Sequence, residues 1–135
     1  RNPALDRLLY LFIHSDEARD YLLSQQFLFP DERYAKLAEF WLKYHQTHEG
    51  AEVTGFIDFI PEELQGIIIN MEMISMPPDY SKRELDDQLR ALEKSKIDQQ
   101  LNDLLNQLKD AQRKQDNSLE LEIAQKVIAL RRKKF

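Results

Sequence analysis

His45, His48 and Glu49 stand at i, i+3 and i+4, a spacing that can bring three metal-ligating side chains to one helical face. It is not a zinc signature, and His45 continues an apolar stripe, so a structural or surface role is expected. His14 ends a predicted helix, where a cation suits the macrodipole; no chemistry is assigned to it. Glu62-Glu63 and Asp86-Asp87 are adjacent carboxylates, but adjacent helical residues point apart and cannot share a proton. Phe40, Trp41 and Tyr44 could stack on bases, yet their helical spacing places them in a core. Arg131-Arg132-Lys133-Lys134 could meet phosphates, but this last helical turn is also where cations are stabilised by the dipole. In an acidic chain, direct nucleic-acid binding is not expected. With no cysteine, thiolate catalysis, disulfides and Cys-ligated zinc are excluded. No Gly-rich phosphate loop, nucleophile elbow or metal cluster is present, and the residues alone describe an interaction module.

The elements that would position such residues follow from composition. The 135 residues carry a net charge of -5, 32% charged side chains and only 3 Gly, which favours helices over sheets. No apolar run approaches the length of a membrane helix, and no signal peptide is visible. A start at Arg1 suggests a segment of a longer protein. The charge is unevenly divided: residues 1–78 hold 13 acidic and 6 basic side chains, residues 79–135 hold 11 acidic and 13 basic. All prolines and glycines lie at or before Pro78. A compact head and an elongated, solvated tail are expected.

In the head, Leu5, Leu8, Leu9, Phe12 and Ile13 predict a helix from about Ala4 to His14. Ser15-Asp16 opens a second, with Ala18, Tyr21 and Leu22 buried. Asp31-Glu32 opens a third, with a stripe of Tyr34, Leu37, Ala38, Trp41, Tyr44 and His45, stopping near Gly50. A fourth covers Val53 to Ile60. Pro61 is placed as the first residue of a fifth, apolar on both sides and therefore expected at the centre of the bundle.

In the tail, Ser81-Lys82-Arg83-Glu84 is a capping-box pattern. Helices are predicted over about 81–114 and 118–134, turning at Asp116-Asn117-Ser118 with Asn117 and Glu120 as a second capping box. Leu85, Leu89 and Leu92 form one stripe, expected to pack on the head; Ile97, Leu101, Leu104, Leu105 and Leu108 form another, out of phase with it. A hinge is expected at Glu93–Lys96, which divides the chain into a bundle over 1–95 and a hairpin over 96–135. Folding back at Asp116 sets Ile123, Val127 and Leu130 against the second stripe. It leaves Leu121, Ile128, Arg131, Arg132 and Phe135 turned away as a candidate partner surface. The fold class is all-α: a helical bundle, then a long helix and a C-terminal two-helix hairpin. Self-association of this hairpin as a coiled-coil scaffold is one alternative.

Asp6-Arg7-Leu8-Leu9, Phe29 followed by Ala35-Lys36-Leu37-Ala38, the aromatic end of the third helix through Tyr44, and Phe56-Ile57-Asp58-Phe59-Ile60-Pro61-Glu62-Glu63-Leu64-Gln65 occur in that order. In this the chain resembles the C-terminal, helicase-binding domain of bacterial primase in its Gram-positive form. The resemblance implies a cytoplasmic protein-interaction domain whose hairpin holds the N-terminal domains of the replicative helicase hexamer and whose bundle modulates it. It also implies a monomer when isolated, and no catalysis or cofactor in this segment. The zinc and magnesium of the parent primase would belong to other domains. The N-terminal domain of the helicase itself shares the bundle-plus-hairpin fold and is the second alternative.

Overall fold

A computed structural model describes residues 2–133. Among them are seven helices and no strand: α1 (Pro3–His14), α2 (Asp16–Ser24), α3 (Glu32–Thr47), α4 (Val53–Phe59), α5 (Glu62–Met73), α6 (Lys82–Arg113) and α7 (Asn117–Lys133). The expected all-α class is the one observed. The chain packs as two compact units, Arg1–Leu85 and Asp86–Phe135.

Local side-chain chemistry sets most helix starts in the first unit. The Asn2 side chain accepts the amides of Ala4 and Leu5, with Pro3 just inside the helix. The Ser15 hydroxyl accepts from Ala18, and the Asp31 carboxylate from Arg33. Each satisfies an amide that the first helical turn leaves unpaired. Helix α2 ends in a Schellman turn: Gln26 sits in the left-handed region at φ 56°, and Phe27 donates back to the Leu22 carbonyl. The residues between it and Pro30 form no helix.

Helix α1 is the centre of this unit, packed by α2, α3 and α5. Leu5, Leu8, Leu9, Leu11, Phe12 and Ile13 are all buried, so it is apolar nearly all round. The sequence places α5 there, and the structure corrects this. Only Leu64, Ile68 and Met71 of α5 are buried, whereas Ile69 and Met73 face solvent. Two polar groups enter the core with partners. Tyr34 donates its hydroxyl to Asp6 at 2.5 Å. Burial, and then that bond, raises its phenol well above the ordinary value. Arg19 is buried at the end of α1, donating to the carbonyls of Phe12 and Ile13 that the helix terminus leaves open.

Several boundaries differ from expectation for local reasons. Helix α3 stops at Thr47, close to Gly50, where the backbone turns extended at His48 (φ -126°, ψ 102°) and the Thr47 hydroxyl donates to the Lys43 and Tyr44 carbonyls. Gly50, at φ 66°, lies in the turn that follows. Pro61 is the N-cap of α5 rather than its first residue: its ψ of 147° is extended, and its carbonyl accepts from Leu64. At the start of α6, Ser81 accepts the Glu84 amide as a capping box requires, but the Glu84 carboxylate is taken by Arg7. Leu85 is buried in this unit, as expected; Leu89 and Leu92 belong to the second unit and are only half-buried. Helix α6 runs unbroken through Glu93–Lys96, and those four residues are exposed.

Candidate docking surface on the terminal hairpin

In the second unit, α6 and α7 are antiparallel partners around one apolar seam. Ile97, Leu101, Ala111, Ile123 and Val127 are buried, and Leu104, Leu105, Leu108 and Leu130 pack against them. This is the pairing that the second stripe predicts. The turn needs no glycine. Gln115 takes the left-handed position at φ 57°, its amide donates to the Gln112 carbonyl, and the Asp116 amide returns to Ala111 at 3.0 Å. Asp116, not Asn117, then caps α7: its carboxylate accepts from Leu119 at 3.1 Å and its carbonyl from Glu120. Asn117 is already inside the helix, and the Glu120 side chain instead accepts from Gln112 across the turn. A Ser, Asp or Asn can each cap, so sequence alone ranks these neighbours poorly.

The seam fixes which face of α7 is outward. Leu121 is 62% exposed and Ile128 54%. At 3.6 residues per turn, positions 121, 125, 128 and 132 share one face. Arg132 therefore continues the apolar pair, and Arg131 stands to one side of it; both are exposed. Neither they nor Lys133 form an ion pair among the described residues. Phe135 lies outside the described residues, as does Lys134. Leu119, also exposed, was not singled out by the sequence pattern because it sits in the first turn, near the edge of the seam. Along one flank of the seam runs a shallow groove of about 420 Å³ lined by Asp103, Leu104, Lys126, Leu130 and Lys133. Leu104 and Leu130 thus serve the seam and the groove together, which a stripe count cannot separate.

Of the candidate residues, His14 and His45 line one open cleft with Asp16, while His48 and Glu49 lie outside its lining. His45 lies against Trp41 and within 3.7 Å of Asp16, and it is exposed rather than part of the core stripe. His48 stacks on Tyr44 with ring centroids 4.0 Å apart. His14 pairs with Glu72 at 2.6 Å. Among the described residues no group of three His, Asp or Glu side chains could hold a metal. Trp41 and Tyr44 are buried in the core, Trp41 edge-on to Phe56, so they offer no stacking platform. The Trp41 indole N–H has no partner among the described residues. No described helix is long and apolar enough to cross a membrane.

The molecule is thus an all-α module whose terminal hairpin carries exposed apolar side chains together with Arg131 and Arg132, which form no ion pair among the described residues. No known family model matches it. Its sequence is similar to that of DNA primase. It is 29% identical to the Listeria monocytogenes DNA primase over 122 residues, 86% of this chain, and 28% identical to that of Listeria innocua over 123 residues, 87% of this chain. The chain spans 20% of the length of each of these relatives. The resemblance to primase read from the residues is borne out, and the match is that expected of one domain of a primase.

Proposed function

We propose that this chain is a docking domain of a DNA primase, acting in the cytoplasm, whose terminal hairpin engages the N-terminal domains of a replicative helicase hexamer and so couples primer synthesis to unwinding. The observation that carries the proposal is the outer face of α7. Leu121 and Ile128 are exposed two turns apart on one face of the helix, with Glu122 beside the first and Arg131 and Arg132 just beyond the second. An apolar centre with a charged rim is the composition of a specific protein interface. The similarity to primases over most of the chain supports the identity of the partner. The segment itself works by binding, without a cofactor, and the zinc and magnesium needed for priming are held elsewhere in the longer protein. The cationic rim speeds encounter with an acidic partner surface and makes association salt-sensitive.

The test is titration of a bacterial replicative helicase hexamer with the chain and with its Leu121→Asp, Ile128→Asp double variant. Both positions are exposed, so the fold should survive, as circular dichroism would verify. Loss of binding by at least about tenfold is expected for residues at the centre of a contact. Undiminished affinity in a folded variant would remove the hairpin face from the interface.

A further inference from the structure

Helix α5 turns an unusual stripe to solvent. Positions 62, 66, 69 and 73 share one face of the helix, opposite the buried Leu64, Ile68 and Met71. They are Glu62, Gly66, Ile69 and Met73, with Ile69 43% and Met73 79% exposed. Gly66 is the informative member. Glycine inside a helix is the poorest helix former short of proline, and it is useful where a Cβ would collide or where another backbone must approach closely. No collision exists here: a Cβ built at Gly66 meets nothing within 4 Å. Gly55 in α4 is the contrast, since a Cβ there would run into the Tyr44 hydroxyl. Packing within this chain therefore accounts for Gly55 and leaves Gly66 without a role.

Charge indicates what approaches. Between Lys43 and Lys82 the chain has no Lys or Arg and seven carboxylates. Glu49, Glu52, Asp58, Glu62 and Glu63 form no ion pair among the described residues. Glu62 and Glu63 suit the positive end of α5, and being exposed with no Lys or Arg paired to them they leave that end of its outer face negative. Such a surface repels nucleic acid and anionic lipid and attracts a cationic protein.

We propose that the outer face of α5 is a docking surface for a basic amphipathic helix of a partner protein. Apolar side chains of that helix cover Ile69 and Met73, its backbone passes over Gly66, and its Lys or Arg side chains meet Glu62 and Glu63. This surface lies in the other unit from the α7 face and carries the opposite charge, so either assignment can fail without the other.

The probe is a synthetic helical peptide with a leucine stripe flanked by arginines, titrated into the full chain and followed by backbone amide NMR. The control peptide keeps the stripe and replaces arginine with glutamate. Amide shifts confined to 62–73 are expected with the cationic peptide and not with the anionic one. Gly66→Leu and Glu62→Lys should each weaken binding by about tenfold, as for side chains central to a contact. Gly66→Leu should do so without lowering the melting temperature, which separates lost docking from lost folding. The assignment is overturned by unchanged affinity in Gly66→Leu, by equal responses to both peptides, or by shifts outside α5. Concentration-dependent shifts at 62–73 in the peptide-free chain would give the face to a second copy and would also overturn it.

Discussion

Arg7 grips Glu84 with two hydrogen bonds, Nε to Oε2 at 2.8 Å and Nη2 to Oε1 at 3.1 Å, across 77 residues of sequence. The same guanidinium donates to the carbonyls of Pro77 at 2.5 Å and Asp79 at 2.9 Å. It therefore ties α1 to the linker and to the first turn of α6. The planar fork makes this site intolerant of lysine, which has a point charge and no second parallel donor. Arg7→Lys should cost about 1–3 kcal/mol, most of the loss expected for Arg7→Ala. Urea denaturation measures it, and a change in Arg7→Lys within about 0.5 kcal/mol, the scale of an ordinary surface substitution, would contradict the assignment.

Leu85 is 1% exposed and closes the core of the first unit. Leu85→Asp removes that packing and buries a carboxylate, and should cost about 3–5 kcal/mol. Leu89→Asp, at a half-buried position, should cost clearly less. Equal thermal midpoints for the two variants would contradict the burial difference.

Two glycines should respond to alanine with opposite signs. Gly66→Ala gains helix propensity with nothing to strike, and should stabilise the chain by about 0.8–1.0 kcal/mol. Gly55→Ala gains the same propensity but drives a methyl into the Tyr44 hydroxyl, so a net loss of about 1–3 kcal/mol is expected from overpacking. Thermal melts of the pair decide this, and a stabilised Gly55→Ala would show that α4 can shift freely.

Asp31 caps α3, and its hydrogen bond from the Arg33 side chain holds its carboxyl below the ordinary value of 3.8. Because the folded state favours the ionised form, its stabilisation is complete above pH 3.8 and is lost as pH falls through the lowered folded value. Asn is as good a cap as Asp, so Asp31→Asn should change stability little at neutral pH and flatten this part of the acid limb. A variant with an unaltered acid limb would show that the pairing has no thermodynamic weight.

The parts of this structure legible in the sequence are those decided within a few residues. Ser15, Asp31 and Ser81 announce helix starts because their side chains cap amides two or three positions on. The hairpin seam and the outward turn of Leu121 and Ile128 follow from helical phase once Ile123 is placed inside. The rest was not legible because it depends on distant chain. Whether α1 or α5 takes the centre turns on which neighbours arrive, since both are apolar on more than one side. Glu84 leaves its capping box for a guanidinium that no local pattern reveals. Gln26 and Gln115 occupy left-handed turn positions where the usual glycine signal is missing.

The burial of Trp41 has an optical consequence. It is the sole tryptophan, 3% exposed, and all five tyrosines also lie at or before Tyr80, so residues 86–135 contain neither chromophore. Tryptophan and tyrosine absorbance and emission belong entirely to the first unit. The melting of α1 to α5 around the indole should redden its fluorescence, whereas unravelling of the hairpin would pass unseen by that probe and register only as lost helical ellipticity. Fluorescence and far-ultraviolet dichroism followed on one sample thus give separate clocks for the two units, with no dye attached.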